Sequence, residues 1–149
     1  MLIYVAGSSS DLPRIKRWMA TLQEFNASET ATAAAPGIEL THDWVAVIEA
    51  RGEANPVNAA FHQRASWAGE DIAGVREADL LWVLMPPGRS DGAFFEAGYA
   101  DALGKEIVFS GPGTDRTIFT ARACCFEEDE SAWDYIVDRY FNELDTTHG

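Results

Sequence analysis

Residues 80–109, LLWVLMPPGRSDGAFFEAGYADALGKEIVF, decide how the chain is read. Leu80 to Met85 is apolar without interruption and breaks at Pro86-Pro87-Gly88. A segment of small residues at helical spacing follows, and a second apolar run opens at Ile107. The order is strand, turn, helix, strand. In an open parallel sheet, ligands bind just past the carboxyl ends of the strands, so the turn from Pro86 to Gly92 forms one wall of a site. Glu96 falls about one turn into the helix. There the positive end of the helix dipole is expected to hold its carboxylate ionised, the form that serves as nucleophile or base.

On the amino-terminal side, Leu2 to Ala6 is a short apolar run ending at Gly7, and Ser8-Ser9-Ser10-Asp11 offers N-caps for a helix opening near Pro13. Leu12, Ile15, Trp18, Met19, Leu22 and Phe25 give that helix an apolar face. Residues 26–37 are too uniform in small residues to assign. Ile38 to Thr41 reads as a second strand with His42-Asp43-Trp44 at its carboxyl end, and Glu49 to Asn58 as a loop around Pro56 that borders a pocket. Between about Val57 and Ala78, Phe61, Ala65, Ala68, Ile72 and Val75 recur at helical intervals, with Asp71 in the second half.

Beyond the central unit, Ile107 to Ser110 is a strand, and Ile118 to Phe126 a last one. A terminal helix starts at Glu127 to Glu130 and carries Trp133, Ile136, Val137, Tyr140 and Phe141 on one face. Strands and helices alternating at these lengths predict one α/β domain over residues 1–149. It is a doubly wound, flavodoxin-like or Rossmann-like parallel sheet of five strands in the order 2-1-3-4-5.

The chain is long enough for one domain with a real core. A net charge of -13, with scattered Lys and Arg, argues against nucleic acid or an anionic membrane as partner. No apolar run approaches the roughly 20 residues of a membrane span, and no basic region precedes the first apolar run, so a cytoplasmic protein is expected. Cys124 and Cys125 are adjacent, which suits neither a disulfide nor a zinc site, and they read as two buried thiols in the last strand. His42, His62 and His148 are isolated, and no metal site is expected from them. Gly98 to Lys105 imitates a phosphate loop. However, it has five residues between its glycines where the motif has four, lacks the Ser or Thr, and ends a helix, so Gly104 reads as the helix stop.

Three groups converge in this fold: Tyr4 with Gly7 and Ser8 after the first strand, Asp71 on the second helix, and Ser90 to Glu96 after the third strand. The carboxyl ends of strands one and three flank the topological switch point, which brings these distant residues to one crevice. Amides near Ser8 and Ser90 to Gly92 can receive a phosphate, carboxylate or hydroxyl-rich group. Taken singly, each has a plain alternative: Ser90 or Asp91 as a helix cap, Asp71 as a solvated acid, Glu96 as a dipole-compensating one.

Together the residues Tyr4-x-x-Gly7-Ser8, Trp67-x-x-x-Asp71-x-x-x-Val75-x-x-x-Asp79 and Ser90-Asp91-Gly92-x-x-x-Glu96-x-Gly98-x-Ala100, with Gly104-Lys105, resemble the nucleoside 2-deoxyribosyltransferase family. That family includes related nucleoside 5′-monophosphate N-glycosidases, and the likeness covers residues 1 to about 110. The resemblance implies that Glu96 attacks the anomeric carbon of the sugar to give a glycosyl-enzyme, which a second base or water resolves. It implies that Asp71 assists proton transfer to the departing base and that Tyr4 positions the nucleophile. Gly7, Ser8, Trp67, Ser90, Asp91 and Gly92 would then bind substrate, a small-molecule nucleoside or nucleotide, in a homo-oligomer that needs no cofactor. The chemistry agrees, because base departure leaves oxocarbenium character that a nearby carboxylate stabilises and captures while an acid serves the base.

Two departures stand out. Phe94-Phe95 replaces the glycine usual two positions before the glutamate, and is expected to narrow or reshape the pocket floor. Ser90 stands six residues before Glu96, as in the monophosphate hydrolases, with Asp91 beside it, so transfer and hydrolysis both stay open. The pattern is also similar to a TIR-like NAD glycohydrolase, and PPGRSDGAFFE loosely resembles a phosphoribohydrolase motif. From another class, a non-catalytic nucleotide-binding module is the alternative.

Overall fold

In the computed structural model the uninterrupted apolar run becomes β3 (Leu80–Leu84), buried at every residue. A strand that is apolar throughout, and not at alternate positions, is what a parallel sheet covered on both faces requires. β1 (Leu2–Ala6) lies on one side of it and β2 (Glu39–Leu40) beyond β1. β4 (Glu106–Ser110) and β5 (Cys124–Phe126) lie on the other side. All four pairings are parallel, and the order β2-β1-β3-β4-β5 is the one expected from the sequence. The structure describes residues 1–28, 37–52 and 58–147. Most of the unassigned stretch 26–37, the centre of the loop around Pro56, and His148 lie outside the described residues.

Successive side chains of a strand point to opposite faces, and this divides the core. Ile3, Val5, Trp82, Leu84 and Val108 meet α1 (Leu12–Ala27) and α5 (Asp129–Thr147), where Trp82 packs edge-on against Trp18 at 5.1 Å and stacks on Trp133 at 6.2 Å. Tyr4, Ala6, Leu81, Val83 and Phe109 meet α3 (Phe61–Glu77) and α4 (Asp91–Ala102). The phenol of Tyr4 is therefore sent toward the helix that carries Glu96. Gly104, at φ +68°, stops α4, and the Lys105 amide returns to the Ala100 carbonyl at 3.0 Å, the 6→1 bond of a Schellman ending.

Four expectations are corrected. The stretch from Glu49 is not all loop, because α2 (Trp44–Arg51) precedes Gly52; Asp43 caps it by accepting from the Ala46 amide at 2.9 Å, and Gly52 closes it at φ +71°. The last strand is only three residues long. Residues 118–122 form a 3-10 turn instead, which Thr117 caps by accepting from the Phe119 amide. Cys124 and Cys125 do lie in that strand, but both are exposed, since β5 is the sheet edge. Phe61 opens α3 79% exposed and takes no part in its packed face. Among the described residues, no helix is long and apolar enough to cross a membrane.

Candidate active site

Tyr4 is fully buried in β1, and its hydroxyl donates to Glu96 Oε1 at 2.8 Å. Asp71, on the facing side of α3, lies close enough for its charge to act on both Tyr4 and Glu96. The phenol and the two acids read from the sequence thus meet on one face of the sheet, beside the switch point between β1 and β3. Gly74 makes the approach possible. A Cβ there would stand 2.7 Å from the Cβ of His42 and 2.9 Å from Cδ2 of Tyr4, so only glycine lets α3 settle this close to β1.

His42 is a functional candidate that the sequence reading missed. Its Nε2 lies 3.2 Å from Asp71 Oδ1. In sequence it stands as an isolated histidine, and its place at the carboxyl end of the second strand is the available signal. Arg51 was missed as well. Its Cζ sits 4.1 Å from the centroid of the Trp67 ring, and both side chains line a cavity of about 220 Å³ with Trp44, Arg64 and Asp71.

The electrostatics invert one expectation. Burial pushes the Glu96 carboxyl up to about 8, against the hydrogen bond from Tyr4, and the neighbouring charge of Asp71 adds to the rise. The helix dipole does not keep this acid ionised at neutral pH. Its desolvation inside the crevice outweighs a favourable charge effect of about 1 kcal/mol. Burial likewise raises the Asp71 carboxyl, with His42 pulling the other way. Burial, followed by the charges of Glu96 and Asp71, keeps Tyr4 in its phenol form.

No protein-family model, curated protein or solved structure matches this chain.

The remaining residues named from the sequence divide. Ser90 is buried at the N-cap of α4, and its side chain makes no capping bond. Asp91 is turned outward, 75% exposed and paired with Arg89 at 2.6 Å. Gly92 faces open space. Gly7 has a packing reason of its own, since a Cβ would stand 2.7 Å from Cδ1 of Ile15. Ser8 caps the short turn Ser9–Asp11 by accepting from the Ser10 amide at 3.3 Å. Asp79, part of the sequence pattern, accepts from the Leu2 amide at 2.7 Å and anchors the start of β1.

Phe94-Phe95 does not form the floor of the crevice. Phe94 packs toward Phe109, with ring centroids 6.4 Å apart, and Phe95 is 68% exposed. Phe94 lines a separate apolar cavity of about 480 Å³ between α4 and β4, together with Ala97, Ile107, Phe109 and Phe119. That cavity is larger than the one beside Asp71, but Tyr4, Asp71 and Glu96 are not among the residues that line it.

Proposed function

We propose that this chain cleaves the N-glycosidic bond of nucleosides or nucleotides. Glu96 in its ionised form attacks the anomeric carbon as the carbon–nitrogen bond breaks, Asp71 delivers a proton to the departing base, and a second base or water then releases the sugar from Glu96. The observation that carries this reading is the gathering of Tyr4, Asp71 and Glu96, with the phenol held on the carboxylate at 2.8 Å. Two carboxyl groups in different surroundings are what a nucleophile and an acid require. The side chain at the N-terminus of α4 that is buried is Ser90, not Asp91, which favours a substrate carrying a 5′-phosphate and transfer to water. A homo-oligomer in the cytoplasm belongs to the same proposal.

The raised Glu96 carboxyl supports a second assignment of roles, with Glu96 as the proton donor and Asp71 as the anionic partner. Incubation with deoxynucleosides plus a free base, with nucleoside monophosphates and with NAD tests the reaction by the base released. Mass spectrometry of the acid-quenched protein tests the roles. A sugar adduct at Glu96 supports covalent attack, whereas turnover without an adduct supports the second assignment. Release of no base from any substrate overturns the enzymatic reading.

A further inference from the structure

The cavity between α2 and α3 adjoins the crevice through Asp71, which lines it with Trp44, Val47, Ile48, Arg51, Arg64 and Trp67. At about 220 Å³ it is smaller than the roughly 300–1,000 Å³ of sites that enclose a whole drug-sized ligand, so it suits one part of a substrate. Its walls are two indoles and aliphatic side chains. Trp44 is fixed, its ring N–H donating to the Val5 carbonyl at 2.8 Å. Such walls accept a planar heterocycle by stacking.

The polar lining is unusual for this molecule. The chain has 24 acidic side chains against 11 Lys and Arg, yet among the described residues this cavity presents two guanidiniums and one carboxyl. Arg51 is held in place over the face of Trp67. A guanidinium offers only donors and no acceptor. Beside it, an oxo edge finds partners, whereas an amino edge sets donors against donors.

We propose that this cavity is the base lobe of the site and that Arg51, with Arg64, makes it prefer heterocycles with an oxo edge over those with an amino edge. Hypoxanthine, guanine, uracil and thymine belong to the first class, adenine and cytosine to the second. The inference rests on the glycosidic reading, in which the base leaves beside Asp71.

The test measures binding of free hypoxanthine, adenine and inorganic phosphate by calorimetry, and kcat/KM for deoxyinosine and deoxyadenosine with their monophosphates. Wild type, Arg51→Glu and Arg51→Lys are compared. The expected preference for the oxo base is about fivefold or more, the lower end for a bidentate arginine contact with a base edge. Arg51→Glu abolishes or reverses it, and Arg51→Lys retains part of it. If Arg51→Glu does not fold, Arg64→Glu, at an exposed helix position, replaces it and lowers the same ratio.

Equal or adenine-favouring binding by wild type overturns the proposal, as does an unchanged ratio in the folded charge-reversed variant, or binding of phosphate without either base. Loss of Arg51 also changes the field on Asp71, which acts on bond cleavage and differs between leaving bases, so the ratio for binding of the free bases is the one that reads the lobe. Hypoxanthine binding with the stated preference, but without cleavage of any nucleoside, would remove the glycosidic reading and leave the base lobe standing.

Discussion

The hydroxyl of Tyr4 donates to Oε1 of Glu96 at 2.8 Å, joining the third residue of β1 to the second turn of α4 across 92 residues of sequence. The bond favours the ionised carboxylate and so opposes burial, which pushes the acid up to about 8. In Tyr4→Phe the ring stays packed and only the donor is lost. The Glu96 carboxyl then titrates higher still, and the rising limb of kcat/KM against pH moves to higher pH. At pH 7 the rate of base release falls about 10- to 100-fold, the range for a hydrogen bond to a charged group. An unshifted limb in the folded variant would show that this bond does not tune the reacting acid.

Glu96 also makes stability depend on pH. Its folded pKa of about 8 lies above the ordinary 4.5, so the folded state binds the proton more tightly than the unfolded state does. The stabilisation is fully present below 4.5 and is lost as pH rises to about 8. Glu96→Gln keeps the shape and an oxygen for Tyr4 but never ionises. Its melting temperature is expected to match wild type near pH 5 and exceed it by about 5 °C or more at pH 9. A difference that does not grow with pH would contradict the burial of this charge.

Gly74 holds no ligand in this scheme, yet the site depends on it. In Gly74→Ala the new methyl meets the Cβ of His42, which cannot rotate away, and the ring of Tyr4. Overpacking of this kind costs about 1–3 kcal/mol, and the better helix propensity of Ala returns less than about 1. Urea unfolding is expected to show net destabilisation, with base release reduced beyond what the folded fraction explains. A variant as active and as stable as wild type would place slack between α3 and β1.

The sheet was legible because β3 and β1 carry their apolar residues as short unbroken runs and Gly104 marks a helix end. Tyr4, Asp71 and Glu96 were legible as a set because the strand order brings their elements to one crevice and because their spacing resembles that of a known family. What escaped is what pairing and packing decide. α2 is bracketed by Asp43 and Gly52, but eight residues give a weak periodic signal. Residues 118–122 are apolar enough for a strand, yet Thr120 is buried and its hydroxyl donates to the carbonyls of Thr114 and Thr117, which winds them into a turn. The ionised state expected for Glu96 followed from its position near the N-terminus of a helix. Its desolvation depends on α3 and β1 closing over it, which no local pattern encodes.

His42 lies 3.2 Å from Asp71, so the proposed proton donor is half of a pair. Burial raises the Asp71 carboxyl while His42 lowers it, and the net rise lets this acid keep its proton to higher pH than an ordinary aspartate does. Asp71→Asn retains the shape but cannot give up a proton to the base. Substrates whose base leaves easily should lose little rate, and those whose base must be protonated should lose about 100- to 10,000-fold, the range for general acid catalysis. His42→Gln, which keeps a hydrogen-bonding side chain without a titrating charge, should shift the falling limb of the pH profile to higher pH, since the group that lowers Asp71 is weakened. Steady-state rates across a series of leaving bases check both variants. Equal losses for good and poor leaving groups would mean that Asp71 orients the sugar and donates no proton.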